Sequence, residues 1–201
     1  RENLPQALAR LEEFLAAEFE YIANSAFQAN EDRSKAASFF LVSVGSLVAA
    51  IFGAQLLNGT PQQLVIAYRS LAGLFLILTI LGALTVAQLA RLRLAWLEAA
   101  RAMNQMKDFV AKHHQGLKLE EAFRWRTSTL PNEFKADSIS FYSAMEVALL
   151  SALTCGSFVY FSMLSVNLSD WIWPIAIGAG AVAFFVLFFL YKHLLTQKRK
   201  P

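Results

Sequence analysis

Charged and nearly uncharged stretches alternate along this chain, and four of the uncharged ones are long: residues 36–57, 63–90, 139–166 and 171–191. Each reaches the roughly 20 apolar residues that a helix needs to cross ~30 Å of hydrocarbon. Strands at such depth would have to close into a barrel and would alternate apolar with polar at every second residue. None of the four alternates, so the pattern predicts four transmembrane helices. The fold class is therefore all-α, a polytopic membrane protein.

The charged stretches between these spans are patterned too. In residues 4–30, Leu4, Leu8, Leu11, Leu15, Phe19 and Ile22 recur every three or four positions among Glu12, Glu13, Glu18 and Glu20. This spacing predicts an amphipathic helix. A helix lying on a membrane surface usually carries Lys and Arg on its polar face. Here that face is acidic, which favours a protein partner, either elsewhere in the chain or on a second subunit. No Pro or Gly separates this arm (1–35) from the first span, so the two are expected to form one helix.

The second span likewise runs into Arg91 and Arg93 without a breaker, and its helical spacing continues through Leu94, Leu97, Met103, Met106 and Val110. From Gln63 to Gln115 is 53 residues, or ~80 Å at 1.5 Å per residue if unbroken. A helical cytoplasmic layer built from this extension and the arm follows. The rest of the middle segment (91–137) is less regular. A short helix fits Leu119–Trp125, and Pro131 makes Thr127–Asn132 a loop. Asp137 or Ser138 is placed to cap the third span.

The outer turns are short. Asn58-Gly59-Thr60-Pro61 is a strong turn signal, and Asn167-Leu168-Ser169-Asp170 is another. Spans one and two, and spans three and four, are thus expected to form two hairpins. Both turns contain the Asn-x-Ser/Thr glycosylation pattern, a match short enough to arise by chance.

Charge orients the arrangement. Of 18 Lys and Arg, 4 lie in the arm, 9 in the middle segment and 4 in the tail (192–201); the remaining one is Arg69. By the positive-inside rule both ends face the cytoplasm. The expected location is the cell (inner) membrane. The net charge of +3 does not suggest nucleic acid. The single cysteine, Cys155, permits no disulfide within one chain. No cleavable signal peptide is expected, since the first 35 residues are charged rather than a short apolar core.

Candidate sites are few. Small residues recur at a spacing of four: Gly45, Ala49 and Gly53 in the first span, Thr79, Ala83 and Ala87 in the second, and Ala144, Ala148 and Ala152 in the third. The fourth contains Gly178-Ala179-Gly180-Ala181. Such stripes let helices approach where lipid removes the hydrophobic drive. They serve packing within one subunit or between subunits.

Glu146, about two turns into the third span, is the ionisable residue of most interest, because charge within the membrane marks functional sites. It fits either an ion-interacting role or a shallow pairing with Arg91 or Lys192. Arg69 fits snorkelling to the outer headgroups or an anion site. Arg124, Trp125 and Arg126 form a basic–aromatic cluster that anchors the loop on anionic headgroups or docks a soluble partner. Trp171 and Trp173 belong at the outer interface.

Chemistry is harder to find. His113 and His114 point about 100° apart on a helix and make a poor metal pair. No histidine lies inside a span to ligate haem. There is no phosphate-binding glycine loop and no serine in a nucleophile motif. No cofactor is implied, although bound lipid is compatible with the composition.

An enzyme is therefore not expected. A transporter would usually bring more spans and helices broken near the midplane. The expectation is a non-catalytic structural or accessory subunit, assembling with itself or with other membrane subunits. The alternative is an oligomeric channel or pore-forming effector gated by the cytoplasmic helices, with Ser151, Thr154, Cys155, Ser162 and Ser165 nearest to a polar lining. In layout alone, the chain is similar to bacterial defence effectors that join a transmembrane hairpin to a cytoplasmic helix.

Overall fold

The computed structural model describes residues 4–53, 60–113, 125–168 and 170–197. It contains four long helices: α1 (Leu4–Gly53), α2 (Pro61–His113), α3 (Ile139–Leu164) and α4 (Ile172–Thr196). A 3₁₀ turn covers Thr127–Thr129. Among the described residues there is no strand. All four helices are long and apolar enough to cross a membrane, which marks a multi-pass membrane protein.

The helices begin where local chemistry lets them. Pro61 opens α2 at a position where the missing N–H would go unpaired anyway. The Thr60 backbone N–H donates to Gln63 Oε1 at 2.9 Å, half of the reciprocal arrangement known as a capping box. Ser138 caps α3, its hydroxyl accepting from the Phe141 backbone N–H at 3.2 Å. Pro174 lies in the first turn of α4, where it costs no hydrogen bond. After α3, Asn167 adopts the left-handed region, φ 56°, a conformation that Asn tolerates better than most residues. The Leu168 N–H then returns to the Met163 carbonyl at 3.2 Å.

The absence of a breaker between the arm and the first span has the expected consequence: α1 is one helix of 50 residues. The same holds for α2, with 53. The short helix expected over Leu119–Trp125 falls mostly outside the described residues; Trp125 itself is not helical.

Two compact units divide the chain. One comprises Arg1–Arg33 and Leu92–Lys135, the other Ser34–Arg91 and Ala136–Pro201.

In the first unit, Ala26 and Ala29 of α1 are buried, as are Leu97, Ala100, Asn104 and Ala111 of α2. Lys107 Nζ stands 5.6 Å from the centre of the Phe19 ring, so Phe19 of the arm's apolar stripe meets α2 of the same chain. Arg93 lies over the Trp96 ring at 5.1 Å. The loop after α2 is held by Arg126, whose Nε donates to Asp108 Oδ1 at 3.1 Å. A longer ion pair joins Arg101 to Glu133 at 4.0 Å.

In the second unit, Leu71, Phe75, Leu78, Val86 and Leu89 form the buried face of α2. Their spacing of three, four and multiples of these is that of one helical face. The buried face of α3 is Ser140, Ala144, Val147, Ala148, Ser151 and Ala152. Side chains that face away from these contacts are apolar as well, among them Phe39, Ile77, Leu84 and Phe189, all exposed. Such an exterior suits hydrocarbon rather than water as the surrounding solvent.

Candidate functional site

Among the described residues of the second unit, two helix contacts and a cavity stand out, all made from residues with little chemistry of their own. The first contact joins α2 to α3 through hydroxyls. Ser151 Oγ donates to the Thr79 carbonyl at 3.2 Å. Thr79 Oγ1 and Thr154 Oγ1 share a hydrogen bond at 3.0 Å. Each hydroxyl also lies 2.8 Å from a carbonyl of its own helix, Thr79 Oγ1 from that of Phe75 and Thr154 Oγ1 from that of Ser151; with one proton apiece, one threonine donates to its carbonyl and accepts from the other. Back-bonding of this kind keeps a hydroxyl satisfied inside a helix. Gly82 makes the close approach feasible, because a Cβ there would meet Ser151 Oγ at 2.5 Å and Phe40 Cζ at 2.8 Å. Beyond it, the rings of Phe75 and Phe161 stack with centroids 5.6 Å apart.

The second contact joins α3 to α4 through small residues. A Cβ on Gly156 would lie 3.0 Å from the Ala176 carbonyl oxygen, and one on Gly180 would lie 3.0 Å from that of Ala152. Ala152 and Gly156 are four apart, as are Ala176 and Gly180. The two helices therefore present matched small pairs to each other, the arrangement that allows backbones to touch in lipid. Farther along, the Tyr191 hydroxyl donates to the Ser140 carbonyl at 3.3 Å and lies 3.3 Å from Ser140 Oγ.

Beside this second contact lies a cavity of about 570 Å³. Leu149, Leu153 and Tyr160 of α3 and Trp173, Ile177 and Phe185 of α4 contribute to its walls. The Tyr160 and Trp173 rings meet at one end, with centroids 4.9 Å apart.

The residues singled out by sequence fall into distinct groups. Ala144, Ala148 and Ala152 are buried in the α3 seam, while Thr79, Ala83 and Ala87 are half-buried on α2. Gly180 sits in the α3–α4 contact, but Gly178, two residues earlier, is exposed and has nothing within 4 Å of a Cβ position. Gly45 and Gly53 also meet nothing within 4 Å, and Ala49 is exposed.

Glu146 is exposed on α3, whereas its neighbours Ala144, Val147 and Ala148 are buried. It thus points away from the Ser151–Thr154 hydroxyls. Arg69 is exposed in the early part of α2. Trp171 and Trp173 are exposed at the start of α4, and Trp125 is exposed beside the 3₁₀ turn. Arg126 is the partner of Asp108; Arg124 and His114 lie outside the described residues. His113 packs its ring on Phe109, with centroids 4.1 Å apart.

Among the described residues, no group of three His, Cys, Asp or Glu side chains converges on a point where a metal could sit. Gly82, Gly156 and Ala176 are among the contact residues that sequence inspection missed, as are Ser140 and Tyr191. Extending the Ala144–Ala148–Ala152 series by one more step of four would have reached Gly156.

No family model, curated protein or solved structure matches the chain.

Proposed function

We propose that this chain is a non-catalytic integral membrane subunit that assembles through its helices, either with copies of itself or within a larger membrane complex. In this reading the spans form two hairpins. Both termini face the cytoplasm of a cell (inner) membrane, and the arm and the extension of α2 form a cytoplasmic helical layer.

The observation that carries the proposal is the surface of the arm. Phe14, Tyr21 and Phe27 are 64%, 68% and 70% exposed on a segment dense in carboxylates. Large aromatic rings left in water mark surfaces that associate, and the acidic neighbours disfavour an anionic membrane as the cover. A protein partner fits both facts.

The pore reading draws less support from the geometry. Ser151 and Thr154 are committed to the α2 contact, and Ser162 and Ser165 donate to carbonyls of their own segment at 2.7 and 2.8 Å. Glu146 is on another side of the helix. A polar lining would require these groups to share one open face.

The test is the mass of the purified protein in detergent together with leakage from reconstituted vesicles. An assembly larger than one chain without leakage supports the proposal, as does co-purification of a stoichiometric membrane partner. A monomer at all concentrations with no such partner refutes it. Ion-selective leakage that Glu146→Gln abolishes replaces it with the pore.

A further inference from the structure

The cavity between α3 and α4 has three properties that bear on its occupant. The first is length. From Leu149 to Tyr160 along α3, and from Trp173 to Phe185 along α4, the walls extend ~16 to 18 Å at 1.5 Å per residue. This equals about half of the ~30 Å hydrocarbon core, the depth of one leaflet. A partner helix crossing the bilayer would need a groove twice as long.

The second is polarity. Ser157, Tyr160 and Trp173 supply the polar side-chain atoms, all toward the α3–α4 turn, while Leu149, Leu153 and Phe185 supply only hydrocarbon at the opposite end. Tyrosine and tryptophan prefer the headgroup level, so the wall changes from interfacial to apolar in the same direction as a lipid does. The third is size, since about 570 Å³ lies within the range of sites that hold one small molecule.

We propose that this cavity is a binding site for a single acyl chain of a membrane lipid, inserted with its polar end beside Tyr160 and Trp173 and its methyl end toward Leu149 and Phe185. The close contact of Gly156 with Ala176 and of Gly180 with Ala152 forms the base of the site, and the larger side chains form its walls. The site is independent of whether the chain assembles with others.

The full chain is reconstituted in vesicles of phosphatidylcholine and phosphatidylglycerol in equal parts. A trace of the phosphatidylcholine carries a photoactivatable diazirine midway along one acyl chain. After illumination, adducts are mapped by mass spectrometry. The α2 residues Ile77, Ile80 and Leu84 serve as controls, being as exposed as Leu149, Leu153, Ile177 and Phe185.

The expected result is an excess of about tenfold on the cavity residues over these controls, the difference between a site and a surface. Ala181→Trp and Ser157→Phe, made separately, each fill the cavity and should bring its labelling down to the control level while helix content is unchanged. Equal labelling of cavity and controls in the unsubstituted protein overturns the proposal, because it describes ordinary boundary lipid. Undiminished labelling in both folded variants overturns it as well. An unlabelled cavity, with disulfide-linked dimers from Ile177→Cys in a Cys155→Ala background, assigns the cavity to a second copy instead.

Discussion

Gly82 lies against Ser151, so close that a Cβ on the glycine would be 2.6 Å from the Cβ of the serine. No real side chain tolerates that distance, so any other residue at position 82 must move α2 away from α3. Gly82→Ala should therefore destabilise the protein by about 1–3 kcal/mol, the range for overpacking a filled interior. Ser151→Gly in the same chain should recover part of this loss, but not all, because Phe40 Cζ stands 2.8 Å from the same point. Unfolding midpoints in mixed detergent, read by circular dichroism, check both statements. An Ala variant as stable as the parent would show that the two helices are not in contact at this level.

The Thr79–Thr154 hydrogen bond is a second, separable tie between α2 and α3. Thr154 is buried, and valine matches its shape without its hydroxyl. Interhelical hydrogen bonds in membranes average about 0.6 kcal/mol and reach about 1.7. Thr154→Val should cost within that range, and adding Thr79→Val should cost less than the two single changes summed. A double-mutant cycle measures the coupling; strict additivity would show that the two hydroxyls do not interact.

These two contacts illustrate what could be read from the sequence and what could not. The spans were legible because about 20 uncharged residues in a row have one physical explanation. The continuity of α1 followed from the absence of Pro and Gly near Glu31–Lys35, and the Ser138 cap from a short polar side chain ahead of an apolar run. Helix phase was not legible. Gly178-Ala179-Gly180-Ala181 offers small residues on every face, and only the crossing of α3 and α4 selects Gly180 over Gly178. Likewise, Glu146 at its depth was compatible with any side of α3. Its exposure, opposite the buried alanines, depends on where α2 and α4 pack.

Tyr191 and Ser140 join α4 to α3 through buried polar atoms, each residue 1% exposed. Tyr191→Phe keeps the ring in place and removes the hydroxyl, leaving Ser140 Oγ without that partner. The expected cost is about 1–3 kcal/mol, as for other buried groups deprived of a hydrogen bond. Following it with Ser140→Ala should restore stability, because replacing both partners by apolar groups is nearly neutral. Tyr191→Ala should cost more, about 3–5 kcal/mol, through the cavity left by the ring. The same detergent unfolding assay ranks the three; a Phe variant less stable than the Ala variant contradicts the packing.

The Asp108 carboxylate carries the clearest pH dependence. The polar groups of the neighbouring Thr127, then the Arg126 hydrogen bond at 3.1 Å and the Arg126 charge, hold its pKa below the usual 3.8. A carboxylate with a lowered folded-state pKa contributes stability that is present in full above its unfolded pKa. That contribution fades as pH falls through the usual value toward the folded one. The carboxylate is at the surface, so the effect is small and screened by salt; its readout is local rather than global. Amide hydrogen exchange across 125–130 should stay slow at neutral pH and quicken, after correction for intrinsic rates, as pH is lowered through about 4. In Asp108→Asn the segment should exchange faster at neutral pH, and this pH step should disappear. Arg126→Lys should keep part of the protection, since a lysine supplies the charge without the guanidinium geometry. Identical exchange in the parent and Asp108→Asn at all pH values would mean that the loop is held by other contacts.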